Sequence, residues 1–184
     1  GLDQAHQMEG TLPMLSGLER VRGLIRRGER LRLQQAPQAA RVLAEAARHA
    51  MVLGHPKLDW QARARTLRAL AELGRTSDAR ALLPRLMREA SQHGTALELQ
   101  LARAALGEPG AHQALSEMLG SPPAPGFAHD HLGGFIAVAE GYSNEARWEK
   151  AEAAWAKAAR LQGRHGGSTS DRKSTRLNSS HTSI

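Results

Sequence analysis

The sequence predicts an all-α protein, an α-solenoid of about four antiparallel helix hairpins followed by a disordered C-terminal tail. Three observations carry that expectation. Leu and Ala fill most apolar positions, and the β-branched residues that favour strands are few. Apolar residues recur at three- to four-residue steps from about Leu15 to about Leu161, the period of a helix with one buried face. Breaks rich in Gly and Pro divide this pattern into stretches of roughly 10 to 18 residues, the ordinary length of packed helices.

The first stretch runs through Leu18, Val21, Ile25 and Leu31 to a break at Pro37. Gly54-His55-Pro56, Gly74 with Ser77 and Asp78, Gly94-Thr95, Gly107-Glu108-Pro109-Gly110 and Ser121 to Gly126 then bring turn or N-cap chemistry. Eight helices in four pairs result. The second helix of each pair repeats one pattern: an Ala, an apolar residue four on, and another three further. It stands as Ala39-Leu43-Ala46, Ala79-Leu83-Leu86, Ala111-Leu115-Met118 and Ala151-Trp155-Ala158. A small residue where two helices cross permits close approach, and the larger residues a turn away fill the gap to the next hairpin. The expected organisation is an N-terminal segment at 1–14, a repeat domain at 15–164 and a tail at 165–184.

In the last pair, Phe135, Val138, Ala139, Tyr142, Trp148, Ala151, Trp155 and Ala158 resemble the large, small and aromatic positions of a tetratricopeptide repeat. Leu67, Leu70, Gly74, Ala79 and Leu83 follow the same pattern more loosely. The resemblance implies a non-catalytic scaffold whose first helices line a concave groove for a peptide or protein partner. Carried over residue by residue, the groove positions are Gln61 and Arg68, Gln100 and Arg103, and Glu140 and Ser143. The first repeat would offer Val21, Leu24 and Leu31, which are packing residues. The Lys and Asn pattern with which chaperone-tail binders of this family hold a peptide carboxylate is not present. By family usage the chain resembles the helical sensory or scaffolding part of a larger bacterial signalling or regulatory protein.

Motifs for chemistry point away from an enzyme. There is no Gly-rich phosphate loop, no His-Glu-x-x-His pair and no nucleophile elbow, and no Ser or Thr stands beside a His in a recognisable constellation. No catalytic residue and no cofactor is expected. His129-Asp130-His131 would place alternate histidines on one face of an extended segment, where they could ligate a divalent metal, with His112 or Glu140 as further ligands only if the fold brought them close. The other reading, a polar helix entry capped by Asp130 after Ser121-Pro122-Pro123-Ala124-Pro125-Gly126, is preferred, so no metal is expected. Phe135, Tyr142, Trp148 and Trp155 could form an aromatic ligand box, but their spacing is that of a core.

Charge supplies the alternative function. Arg20, Arg22, Arg26, Arg27, Arg30 and Arg32 lie among Val21, Leu24, Ile25, Leu31 and Leu33, and on a helix Arg22, Arg26 and Arg30 form a stripe that could follow nucleic-acid phosphates. Glu19 and Glu29 interrupt it, and no aromatic is interleaved for base stacking. The opposing reading is a solvated face.

The formal net charge of +7 is partly a property of the tail. Residues 171–181, Asp-Arg-Lys-Ser-Thr-Arg-Leu-Asn-Ser-Ser-His, resemble the translation of a sequencing adapter, and 166–170 and the residues after them have no apolar period. Residues 171–184 are therefore expected to be an artefact. The start at Gly1 suggests a fragment, and 21 Arg against 4 Lys suggests a GC-rich bacterial coding sequence. With no Cys, disulfides and thiolate metal sites are excluded. No apolar run approaches the roughly 20 residues of a membrane span, and a soluble, cytoplasmic chain with no membrane partner is the expectation.

Overall fold

The computed structural model describes the backbone of residues 2–120 and 128–164, and side chains from 16 to 120 and from 131 to 163. Among these residues there are eight α-helices and no strand: α1 (Leu2–Leu33), α2 (Ala39–Val52), α3 (Pro56–Glu72), α4 (Thr76–His93), α5 (Ala96–Ala105), α6 (Ala111–Met118), α7 (Ala128–Asn144) and α8 (Trp148–Arg164). The tail and the 121–127 segment lie outside the described residues, and so do the expectations made for them. α1 starts well before Leu15, its backbone continuing helically through Pro13. α4 likewise continues through Pro84. A proline removes one donor from the ladder yet keeps a helical φ.

One turn recurs at four helix ends. The N–H of Ala36, His55, Arg75 and Arg147 donates to the carbonyl five residues back, on Leu31, Ala50, Leu70 and Tyr142, at 2.9 Å in each case. The residue before each donates to the carbonyl three back and takes a positive φ: Gln35 at 57°, Gly54 at 69°, Gly74 at 81° and Ala146 at 58°. This Schellman geometry satisfies the last carbonyls of a helix and reverses the chain within a few residues. Glycine announces two of these turns in the sequence. Gln35 and Ala146 do not.

The chain forms two compact units, Gly1–Leu106 and Gly107–Ile184. Their boundary falls between α5 and α6, the helices that the sequence pattern groups as a third hairpin; α5 packs on α3 and α4, and α6 packs on α7. In the first unit Val21, Ile25, Ala46, Ala47, Ala50 and Ala62 close a small cluster among α1, α2 and α3. A larger cluster joins Leu43, Trp60, Leu67, Leu70, Leu83, Leu86 and Leu106 across α2 to α5. Trp60 is pinned there by its indole N–H, which donates to the Leu86 carbonyl at 3.0 Å.

Glycine sets the closest helix approaches. A Cβ at Gly28 would lie 2.5 Å from Leu43, and one at Gly17 2.9 Å from Leu53, so α1 rests on α2 through glycines. In the second unit Gly134 meets Leu119 and Gly141 meets His112, each at 2.6 Å from the same imagined Cβ. The two glycines are seven residues apart on α7 and their partners are also seven apart, His112 on α6 and Leu119 just past its C-terminal end, so two antiparallel helices share one seam. α7 and α8 then enclose Phe135, Val138, Ala139, Tyr142, Ala151, Trp155 and Ala158.

Trp148 departs from its expected place in that core, being 45% exposed. It is the first residue of α8, and a helical Cβ leans towards the N-terminus. Its ring is therefore directed beyond the packed length of the hairpin.

Candidate interaction site on α1, α3 and α5

A helix advances about 100° per residue, which puts Gln61, Arg65, Arg68 and Glu72 on one stripe of α3. On one side of that stripe Trp60, Ala64 and Leu67 turn into the larger core, and on the other Ala62 and Leu58 turn towards α2. The stripe is left on the side of α3 where α1 and α5 supply its charged partners, both helices packing on α3. α1 contributes Glu29 and Arg32, and α5 contributes Glu98.

These charges form a ladder across three helices. Arg32 donates from Nε and Nη2 to Glu29 at 3.0 and 2.8 Å, and from Nη1 to Glu72 at 2.8 Å. Arg65 donates from Nε to Glu98 Oε1 at 2.8 Å, with its Nη1 3.7 Å from Glu29. Thr95 caps α5 by accepting from the Glu98 N–H at 3.2 Å, so the residue that opens the helix also presents the carboxylate to Arg65. Burial alone would push the Glu29 carboxyl up. The Arg32 hydrogen bonds and the charges of Arg32, Arg65 and Arg68 outweigh it and hold Glu29 below the ordinary carboxylate range. Arg32 is held protonated even more firmly than an ordinary guanidinium, its carboxylate partners overcoming burial.

Arg68 is the exception in this ladder. It is only 5% exposed, yet it has no hydrogen bond and no ion pair among the described residues. Burial lowers its pKa and the neighbouring Arg32 charge adds to that, while Glu29, Glu72 and Glu98 act against the shift from longer range. A guanidinium carries five donors in a planar fork. Here no acceptor is bonded to them, and what little exposure the residue keeps is at the guanidinium end, since none of its nitrogens is both sealed off and unpartnered.

No family model, no curated protein and no solved structure matches this chain. The site is therefore read from its own chemistry.

The six residues carried over as groove positions are distributed as follows. Gln61 and Arg68 share the α3 stripe, Gln61 half-buried and Arg68 buried. Gln100 and Arg103 are half-buried on α5, and helical geometry turns them roughly 140 to 200° away from Glu98. The Gln100 Oε1 and the Arg103 Nε are enclosed and have no hydrogen-bond partner. Glu140 and Ser143 are half-buried on α7, in the second unit. Val21 is buried in the α1 cluster, with Leu24 packed against it. Leu31 packs on the larger core. In their place Glu29 and Arg32 supply the α1 share of the site. From the sequence Arg32 was read as part of the basic run and Glu29 as a break in it, not as partners across helices; Arg65, Glu72 and Glu98 were not singled out, although the four-, three- and four-residue steps from Gln61 to Glu72 were visible there.

The histidine cluster takes a different form from the extended one expected. Residues 128–131 are helical, so positions 129 and 131 are about 200° apart around α7 and do not share a face. Asp130 lies inside the first turn and is not the residue preceding the helix. His112 stands edge-on to the Tyr142 ring at 4.9 Å, with its Nε2 3.0 Å from Glu145 but not aligned for a hydrogen bond. Among the described residues no group of three or more His, Asp or Glu is placed to hold a metal ion.

Proposed function

We propose that the chain is a non-catalytic interaction scaffold of tetratricopeptide-like helical hairpins that holds an acidic peptide or protein segment along the α1, α3 and α5 face. The observation that carries this reading is Arg68. Every other charged side chain of that face is paired, whereas Arg68, only 5% exposed as a residue, has no acceptor bonded to its guanidinium. A buried unpaired charge is costly to the fold. A partner carboxylate reaching between α1 and α5 would supply the missing acceptor, and a charge-assisted, two-pronged hydrogen bond is the strongest that an arginine makes. Gln61, two turns away on the same stripe, can bond a peptide amide further along the segment.

Charge reversal at Arg68 would place a fourth carboxylate beside Glu29, Glu72 and Glu98 and would report on folding. Arg68→Met is the informative change, because it keeps length and removes the charge. Biotinylated twelve-residue peptides rich in Asp and Glu, and matched peptides rich in Asn and Gln, are titrated against both proteins. The acidic series binds the native chain and loses at least tenfold in affinity with Arg68→Met, while the melting temperature stays level or rises. Equal binding by the two proteins, or no preference for the acidic series, would contradict the proposal.

A further inference from the structure

The charges of the α1–α2 hairpin are sorted by direction. Between residues 16 and 53 there are eight arginines and three glutamates, with no Asp or Lys. Glu29 is held by Arg32 in the ladder and Glu19 lies 3.5 Å from Arg22, while Glu45 lies 3.6 Å from His49, a contact that is ionic only when the imidazole is protonated. Arg20, Arg26, Arg27 and Arg30 are exposed and have no ion-pair partner among the described residues. The sides of α1 that pack are the one bearing Val21, Ile25 and Gly28 and the adjoining one bearing Glu29 and Arg32. The free arginines fall on what remains, with Arg26 and Arg30 one turn apart and Arg20 and Arg27 two turns apart on a neighbouring stripe.

We infer that this open face of α1 is a second interaction surface, one that binds the phosphodiester backbone of nucleic acid without reading its sequence. The stretch from Arg20 to Arg30 is about 15 Å long. A duplex offers about nine phosphate charges over that length. Long, planar guanidinium groups are suited to two-pronged contacts with phosphate oxygens. The face carries no aromatic residue for stacking on bases, and so recognition stops at the backbone. An anionic membrane is the less suitable polyanion. A helix that lies in a bilayer surface inserts an apolar side, and the apolar side of α1 is already spent on α2. This surface does not depend on the Arg68 site, and its partner is of another class.

The test uses the full chain and fluorescence anisotropy with a labelled 20-base-pair DNA duplex of arbitrary sequence, a 20-nucleotide single-stranded RNA, and vesicles of one part phosphatidylserine to three parts phosphatidylcholine. Four neutralised phosphates give a duplex slope of about −3.6 in log K against log salt, a loss of roughly 150-fold between 50 and 200 mM. Arg26→Gln with Arg30→Gln should reduce the slope by about 1.8 and leave the circular-dichroism melt unchanged, since both side chains are exposed. The RNA arm shows which nucleic acid is preferred, with a slope of about −2.8 if the same four contacts form. Three results would overturn the inference: Arg41→Gln with Arg48→Gln, which removes two charges from α2, weakens binding as much; neutralising Arg172, Lys173 and Arg176 abolishes it; or vesicles bind and neither nucleic acid does.

Discussion

Gly94 carries more of the first unit's packing than a loop glycine ordinarily would. Its imagined Cβ falls 2.4 Å from the Trp60 ring, which the Leu86 carbonyl prevents from moving aside. Gly94→Ala should therefore destabilise the protein by about 1 to 3 kcal/mol, the usual cost of overpacking, as read from urea unfolding. Trp155 in the second unit is 3% exposed and its indole N–H lacks an acceptor, so Trp155→Phe should cost less than Trp155→Ala, for which about 3 to 5 kcal/mol is expected. A thermally silent Trp155→Ala would mean that the α7–α8 hairpin is packed in another register. At this scale the sequence was most legible where residues are apolar. The Ala-Leu-Leu pattern marked buried positions correctly in four helices, with Met118 alone only partly buried. Arg68 was legible as a position of interest, but its burial was not, because an arginine in a periodic pattern carries no mark of which neighbours will enclose it.

Elements were marked by their ends. Gly54, Gly74 and the segments at Gly94-Thr95 and Gly107 to Gly110 all fall between helices, and Thr95 and His55 accept from the backbone N–H three residues on, as N-caps do. The turn between α7 and α8 was harder to see, for it is made by Ala146 in the left-handed region rather than by glycine. That conformation strains a residue with a Cβ by about 1 to 2 kcal/mol. Ala146→Gly and Gln35→Gly should each stabilise the protein by about 1 kcal/mol, net of the greater freedom that glycine brings to the unfolded chain. Chemical denaturation with unchanged slope and a higher midpoint would bear this out. A lower midpoint at both sites would show that the two turns are not held in the Schellman form.

For the molecule as a whole, the helical class followed directly from composition and period, whereas the division into two units did not. Nothing at Leu106-Gly107 distinguishes that break from the other glycine-bearing turns, and which helices pack together is decided by side chains far apart in sequence. The charge ladder is likewise an assembly of α1, α3 and α5 that no local motif announces. Its pH signature is calculable in sign. Glu29 titrates lower in the folded chain than in the unfolded one, so its contribution is fully present above the unfolded value of roughly 4.3 and is lost as pH falls through the folded value. Glu29→Gln should thus lower the melting temperature at pH 7, and the difference should shrink by pH 3. A difference that persists unchanged at pH 3 would show that the Glu29 charge adds nothing. No helix among the described residues is long and apolar enough to cross a membrane.

The most direct test of the interaction site is to watch the Arg68 guanidinium itself. In a ¹⁵N–¹H spectrum recorded around the arginine side-chain Nε–H region, the Arg68 signal is identified by its disappearance in Arg68→Met. Titration with an Asp- and Glu-rich twelve-residue peptide should shift that signal saturably, with little movement of the Arg26 and Arg30 signals on the open face of α1. The matched Asn- and Gln-rich peptide should leave it in place. Saturable binding of the acidic peptide with the Arg68 signal unmoved, or with only the α1 arginines responding, would contradict the account.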